Sequence, residues 1–332
     1  MKDFNITACR WGIIGPGKIA QKFANALPLA GNAMLHAVAS SNLARAESFA
    51  VQNGAQKWYG TYEQLAADPD IDAIYIATPH PFHTENALLC LNHGKAVLCE
   101  KPMALNRQQV QQMVDVARKN NTFLMEAMWT RFLPVIEKTL ELIANGNVGN
   151  VQYVRGDFGF YNPFDQDSRL FNMTLGGGSL LDVGVYPLAL CLLIAGKPDS
   201  ITASGRLSAS GADESCMAVL QYNNGTTASA FSTLNAFTSL TAEIAGTKGN
   251  IIIHPAWYKS NALTLSCMGE APETITLEPF TNGFEYEIRE VMRCIEQGFT
   301  ESSKMSHDFS LLLNSTMDTI RAQIGVKYPG ED

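Results

Sequence analysis

The stretch Cys9-Arg10-Trp11-Gly12-Ile13-Ile14, followed at once by Gly15-Pro16-Gly17-Lys18-Ile19-Ala20, decides the fold. A mostly apolar run ends in a G-x-G-x-x-A turn, and a helical pattern continues through Phe23 and Leu27. In the order strand, turn, helix, the first glycine permits the tight turn and the second lets backbone approach a pyrophosphate. Ala20 is small enough for close packing of helix on strand. Free N–H groups at the helix start then hold the anion, with Gly15, Gly17, Lys18 and Ile19 as the candidate contacts.

Outward from that turn the same alternation continues. Runs at 35–39, 73–76, 96–99 and 123–125 are mostly apolar on both faces, as buried parallel strands are, and helical patterns separate them. Residues 43–52, for example, place Leu43, Ala46, Phe49 and Ala50 on one stripe, with Arg45, Glu47 and Gln52 off it. This predicts an α/β fold: a doubly wound parallel sheet of the Rossmann type over residues 1–127 that binds a dinucleotide. From Val151 onward strands follow strands, at 219–222, 227–234, 240–244, 251–254 and 263–267, with Asn224-Gly225 and Lys248-Gly249 as hairpin turns. Residues 128–332 therefore read as an α+β substrate-binding and dimerisation domain around an open, mostly antiparallel sheet. Helices at 179–195 and 284–297 cover one face of it. The other face lacks a cover within the chain, which predicts a homodimer through the sheet.

Composition agrees and excludes alternatives. At 332 residues the chain suits two domains of about 100–200 residues each. Hydrophobic residues at 46% against 17% charged describe a well-buried globular protein, not a disordered one. The net charge of -8 repels polyphosphate backbones and anionic membrane surfaces, so neither nucleic acid nor membrane is an expected partner. Seven scattered cysteines without a C-x-x-C pair read as buried hydrophobes in a reducing compartment. No secretory signal is visible and no run reaches the roughly 18 apolar residues of a membrane span, so a cytoplasmic location is expected. The glycosylation-like triplets at Asn172 and Asn224 are then chance matches.

The ends of the strands carry the chemistry. In NAD-specific sites a carboxylate at the end of the second strand accepts from the ribose 2'-hydroxyl and repels a 2'-phosphate. Here that strand ends Val38-Ala39-Ser40-Ser41-Asn42, with no acid. Ser40 and Ser41 can donate to a phosphate and Arg45 can neutralise it, which favours NADP while leaving NAD possible. Thr78-Pro79-His80-Pro81-Phe82-His83 has H-x-x-H spacing but no nearby carboxylate or cysteine to complete a metal site, and suits a cofactor-binding loop. Glu100-Lys101-Pro102 places a lysine at the carboxyl edge of the sheet. Farther on, Gly176-Gly177-Gly178-Ser179-Leu180-Leu181-Asp182-Val183-Gly184-Val185-Tyr186 sets Asp182 and Tyr186 four apart on one helical face.

Five stretches together resemble the glucose-fructose oxidoreductase and inositol dehydrogenase (Gfo/Idh/MocA) family, and within it the branch that oxidises dihydrodiols and D-xylose. They are GPGKIA at 15–20, GKAVLCEKP at 94–102, EAMWTRF at 126–132, GGGSLLDVGVY at 176–186 and FEYEIREVMRCI at 284–295. The resemblance implies that Lys101 and Tyr186 flank the nicotinamide C4, with Asp182 in the family's D-x-x-x-Y/H pair. It also implies that Thr78, Pro79, His83 and Glu100 belong to the cofactor site, and that Trp129, Arg131, Phe158 and Phe284 line the substrate pocket. One departure stands out: NADP-using members commonly show Ser-Arg after the second strand, where this chain has Ser40-Ser41.

Oxidising an alcohol needs a base for the hydroxyl proton as hydride leaves the same carbon. Tyr186 is the candidate, because an ammonium such as Lys101 favours the phenolate of a group that otherwise titrates at about 10. The expected substrate is a sugar, such as D-xylose or D-glucose, or a trans-dihydrodiol. Arg131 and Asp182 would hold its hydroxyls while Trp129 and Phe158 cover a ring face. A catalytically silent NAD(P)-binding regulator of the same fold is the alternative, and retention of Lys101 and Tyr186 argues against it. A methyltransferase has no use for the E-K-P and D-x-x-x-Y motifs.

Overall fold

Parallel strands need crossovers, and the alternation of apolar runs with helical periods supplies them. In the computed structural model, which describes residues 8–331, the chain runs β1 (Cys9–Ile14), α1 (Lys18–Ala26), β2 (Ala33–Ala39), α2 (Leu43–Gln52) and β3 (Lys57–Tyr59). It continues with α3 (Tyr62–Ala67), β4 (Ala73–Ile76), α4 (His83–Asn92), β5 (Ala96–Glu100), α5 (Arg107–Asn120) and β6 (Leu124–Ala127). The strands pair in the order β3-β2-β1-β4-β5-β6, every ladder parallel. The order reverses direction at β1, and in such sheets ligands bind outside the carboxyl ends of the strands at that switch point. Trp11, Phe23 and Tyr75 are fully buried beneath it, with Phe23 stacked on Tyr75 at 3.8 Å and edge-on to Trp11 at 5.2 Å. Each such ring contributes about 1.5–3 kcal/mol by leaving water. The expected strands fall on β1, β2, β4, β5 and β6. The sequence reading omits β3, whose three residues include Lys57 and have no buried face.

The second sheet follows α6 (Pro134–Ala144) and contains β7 (Val151–Gly159). After it come a π-helical turn at Leu180–Gly184, α7 (Val185–Ala195), β8 (Ser200–Leu207), β9 (Asp213–Gln221) and β10 (Thr227–Thr233). The remaining strands are β11 (Ala242–Gly246), β12 (Gly249–Ile253), β13 (Ala262–Cys267) and β14 (Glu273–Thr276). Eight strands pair in the order β14-β13-β12-β11-β7-β10-β9-β8, antiparallel except for β7 beside β10. Residues in register share a face. Leu220, Ala228, Val154, Ile244, Ile251 and Leu265 form a buried row. The neighbouring row, Val219, Ser229, Arg155, Glu243, Ile252 and Thr264, is only half-buried. The strand expected at 240–244 starts two residues later, at Ala242.

The chain then returns through α8 (Phe284–Glu296) and α9 (His307–Ile324). Two compact units result: one takes in the chain up to Trp129 together with Thr281–Leu311, the other Thr130–Phe280 and the stretch from Leu312. The helix expected at 284–297 as a cover for the second sheet is thus part of the first unit. There α8 packs on α1 and buries Phe284, Ile288, Val291 and Cys294. The helical run Met173–Ala195 is long and apolar enough to cross a membrane, although the sequence reading found no such stretch. Most of it is buried, as a core helix is.

Candidate active site

The glycine turn after β1 has the geometry its sequence implies. Gly15 has φ +85°, and a Cβ there would lie 2.9 Å from Thr78 N, so the absent side chain lets the turn press against the end of β4. At Gly17 a Cβ would meet nothing nearer than 3.9 Å, so the space in front of it is open. Gly17 caps α1 without a side-chain hydrogen bond, which leaves the first-turn amides of Lys18 and Ile19 directed outward. This cradle fits a pyrophosphate at a helix N-terminus. Arg45 lies at its rim, Nε donating to Pro16 O at 3.1 Å. Ser40 is buried and accepts from Asn42 N at 3.2 Å, Asn42 caps α2, and Ser41 hydrogen-bonds the Tyr62 phenol. No carboxylate stands at the end of β2.

Thr78, Pro79 and the Glu100-Lys101-Pro102 turn lie at the carboxyl ends of β4 and β5, neighbours in the sheet. His83 ties the two turns together, with Nε2 2.8 Å from Thr78 O and Nδ1 2.9 Å from Pro102 O. Fully buried and committed to backbone on both sides, it is a brace in the fold and not an accessible base. Glu100 accepts from the Tyr75 hydroxyl and, at 3.1 Å, from Lys101 N. Glu126 and Glu287, both fully buried, sit in this unit as well. Glu126 accepts from Met103 N at 2.9 Å, and burial pushes it up to about 7. Glu287 is raised well above the carboxylate range by burial and by the nearby Glu100. Trp129 stacks on Phe284 at 5.3 Å in the same unit.

Among the described residues, the carboxylates of Asp68 and Asp70 and the His36 ring come within 4.8 Å of one another, as metal ligands would. The Lys57 ammonium already bridges both carboxylates, at 3.1 and 2.8 Å. This is an internal ion-pair cluster at the side of the sheet away from the glycine turn.

In the second unit the π turn and α7 carry Asp182 and Tyr186, both buried. Asp182 pairs with Arg169 at 2.8 Å. The Tyr186 ring lies 5.5 Å from Phe158 and 6.1 Å from Tyr258, and Phe158 stacks on Tyr258 at 4.1 Å. Arg131 pairs with Glu137. The guanidinium brought to Asp182 is therefore that of Arg169, which the sequence reading missed, along with Tyr258. Arg169 follows a loop with no periodicity. Tyr258 is held by its neighbour Trp257, whose Nε1 donates to Asp157 O at 2.8 Å across 100 residues of sequence. Neither position has a local signal. The glycine run ahead of the π turn serves packing: a Cβ on Gly177 would lie 2.9 Å from Leu170 O, and one on Gly178 2.2 Å from Asp213 Oδ1.

Known proteins bear on this geometry. Residues 9–128 match the family model described as an oxidoreductase family with an NAD-binding Rossmann fold, and residues 136–252 match the GFO/IDH/MocA C-terminal domain. The trans-1,2-dihydrobenzene-1,2-diol dehydrogenase of Xenopus tropicalis is 39% identical over 97% of this chain and 100% of its own. That of Danio rerio is 40% identical, covering 97% and 98%. A 3-ketoreductase from Actinomadura kijaniata, solved with NADP and TDP-benzene, superposes with a TM-score of 0.86 at 25% identity over 96% of this chain and 98% of that one. A levoglucosan dehydrogenase solved with NADH and levoglucosan shares the fold, with a TM-score of 0.87 at 21% identity over 96% and 97%. Strand order, the open glycine turn and similarity along the whole length converge: the chain belongs to the Gfo/Idh/MocA family of NAD(P)-binding oxidoreductases.

Proposed function

We propose that this protein is an NADP-preferring dehydrogenase that transfers a hydride between nicotinamide C4 and a carbinol carbon. Its substrate is a trans-dihydrodiol or a cyclic sugar such as D-xylose or D-glucose. The observation that carries the reading is the Tyr186 phenol, one turn from the Arg169-paired Asp182 and beside the stacked rings of Phe158 and Tyr258. A vicinal diol on a flat ring presents both an apolar face and adjacent hydroxyls, and the names of relatives similar over the whole chain support the same class.

The bound nicotinamide supplies the hydride acceptor. Tyr186 takes the proton from the substrate hydroxyl, Lys101 is the cation that favours phenolate and alkoxide, and Asp182 and Arg169 orient the hydroxyls. Trp129, Phe284 and Arg131 are assigned to the substrate side by resemblance. Ser40, Ser41 and Arg45 receive the 2'-phosphate, a choice supported by the missing acid after β2 and by the N-terminus of α2 beside them.

Rates across a panel of dihydrodiols and aldoses with each cofactor test the reading. Tyr186→Phe should lower kcat by roughly 10² to 10⁴ with NADP affinity nearly unchanged. Lys101→Met should do similar damage, and the double variant should lose much less than the product of the two. Near-full turnover by Tyr186→Phe on every substrate would remove the tyrosine from the mechanism. Titration of both cofactors by nicotinamide fluorescence should favour NADP; equal affinity would end that part of the proposal.

The half-buried row on the second sheet supports a homodimer. Val219 and Ile252 lie there on either side of the Arg155–Glu243 ion pair, and Met217, on the same face, is 41% exposed. Light scattering should return twice the mass of the chain; a monomer at micromolar concentration would count against it.

A further inference from the structure

The turn that launches the Asp182–Tyr186 helix is gripped from both sides by residues distant in sequence. On its amide side stands Asp213, the first residue of β9 and fully buried. Its Oδ2 accepts from Ser179 Oγ at 2.6 Å and from Leu180 N at 2.7 Å, and Ser179 Oγ lies 2.9 Å from Ser232 Oγ. Gly178, at φ +129°, makes room for the carboxylate, because a Cβ there would collide with Oδ1. On the carbonyl side the buried Tyr328 donates its hydroxyl to Gly177 O at 2.7 Å. Tyr328 is itself fixed: Glu331 accepts from its backbone N at 3.1 Å, and Arg321, which bonds Glu331, lies 5.0 Å over its ring.

The helix begins as a π turn, Leu180–Gly184, before settling into α7. A π turn is wider than an α turn, so the angle between Asp182 and Tyr186 depends on how that turn is held, and single π turns recur at functional sites. We infer that Asp213 and Tyr328 are positioning residues, fixing the start of this helix so that Asp182 and Tyr186 present their side chains in one direction. The inference rests on the proposed roles of those two residues and adds the device that orients them.

Burial raises the Asp213 carboxyl to about 6, against the lowering effect of its hydrogen bonds from Ser179 and Leu180. The titratable groups that face it are the Tyr328 phenol and the Cys216 thiol of its own strand, with Arg321 and Glu331 behind Tyr328. Both of the facing groups are pushed upward by burial and stay neutral through this range. Protonation of Asp213 therefore removes the negative charge that accepts from Ser179 Oγ and Leu180 N at the helix start.

Asp213→Asn and Tyr328→Phe test this, each nearly the size of the original. The first should lower kcat about tenfold on a trans-dihydrodiol, the second about threefold, with NADPH affinity by fluorescence within about twofold of the parent. In the parent, kcat should rise with pH through about 6, and that limb should be absent in Asp213→Asn. Amide hydrogen exchange at Leu180 should quicken about tenfold in Asp213→Asn. Unchanged kcat in both variants, or a limb near pH 6 that persists in Asp213→Asn, would overturn the inference. If the parent turns over no diol or sugar, the substrate reading fails instead. Exchange at Leu180 then decides alone: faster exchange in Asp213→Asn upholds the brace, and unchanged exchange overturns it.

Discussion

Two glycine turns, one in each unit, each precede a helix, and they differ in what meets the helix start. Gly15-Pro16-Gly17 leaves the start of α1 open, with no side-chain cap and with space in front of Gly17. Gly176-Gly177-Gly178 closes the start of the next site helix on an internal anion, Asp213, whose Oδ2 accepts from Leu180 N. A helix N-terminus attracts negative charge in both cases. What differs is whether the protein or a ligand provides it. In the first unit glycine makes room for a molecule from outside; in the second it makes room for the protein's own carboxylate.

That contrast can be broken by substitution at the glycines. Gly178→Ala should be the most damaging, by about 4 kcal/mol in denaturant unfolding, since it combines a positive φ with a Cβ 2.2 Å from Asp213 Oδ1. Gly15→Ala, with φ +85° and backbone atoms of β4's trailing turn at 2.9–3.0 Å, should lose about 3 kcal/mol. Losses under 1 kcal/mol at either would mean the turn yields easily and the contrast is false.

Asp213→Asn brings out the same difference through pH. The carboxyl is raised from 3.8 to about 6, so folding favours its neutral form. Stability contributed by the neutral form is complete below 3.8 and is lost as pH rises through about 6. Asparagine cannot ionise, so the variant should gain on the parent by about 2 kcal/mol between about pH 4 and pH 7 while turning over more slowly. A stability difference that stays flat across that range would show the carboxyl is not the titrating group. The smallest effect on stability belongs to Gly17→Ala, which has space for its methyl and should unfold within about 0.5 kcal/mol of the parent. It should nevertheless weaken NADPH about tenfold by obstructing the pyrophosphate. Unchanged affinity would remove Gly17 from the cofactor site.

The first unit was legible because its signals are local. A strand, a G-x-G-x-x-A turn and a helix follow one another within 20 residues, and each later strand is an apolar run ended by a turn. In the second unit the reading was correct where hairpins announce themselves, as at Asn224-Gly225, and silent where partners are distant. Asp213 lies 34 residues from Ser179, and Tyr328 lies 151 residues from Gly177. No window along the chain contains both members of either pair. The edge strands β8 and β14 escaped for another reason: both are largely exposed, so neither has the apolar face by which strands are read. Arg131 and Arg169 show the same limit, since a motif selects a residue type at a position but not which carboxylate it will meet.

The return of the chain into the first unit affects how the protein is made. Strand β6 is the last of its sheet, and its outer edge is completed by a segment near the other end of the chain. Leu124 N donates to Thr300 O at 3.0 Å, and His307 Nε2 lies 3.0 Å from Leu124 O. On the ribosome β6 emerges long before those residues exist, so its edge and the face of α1 that α8 will bury stay bare while the whole second sheet is synthesised. The nascent chain carries an unpaired strand edge for some 170 codons, at roughly 5–20 residues per second, and this interval is when aggregation competes with folding.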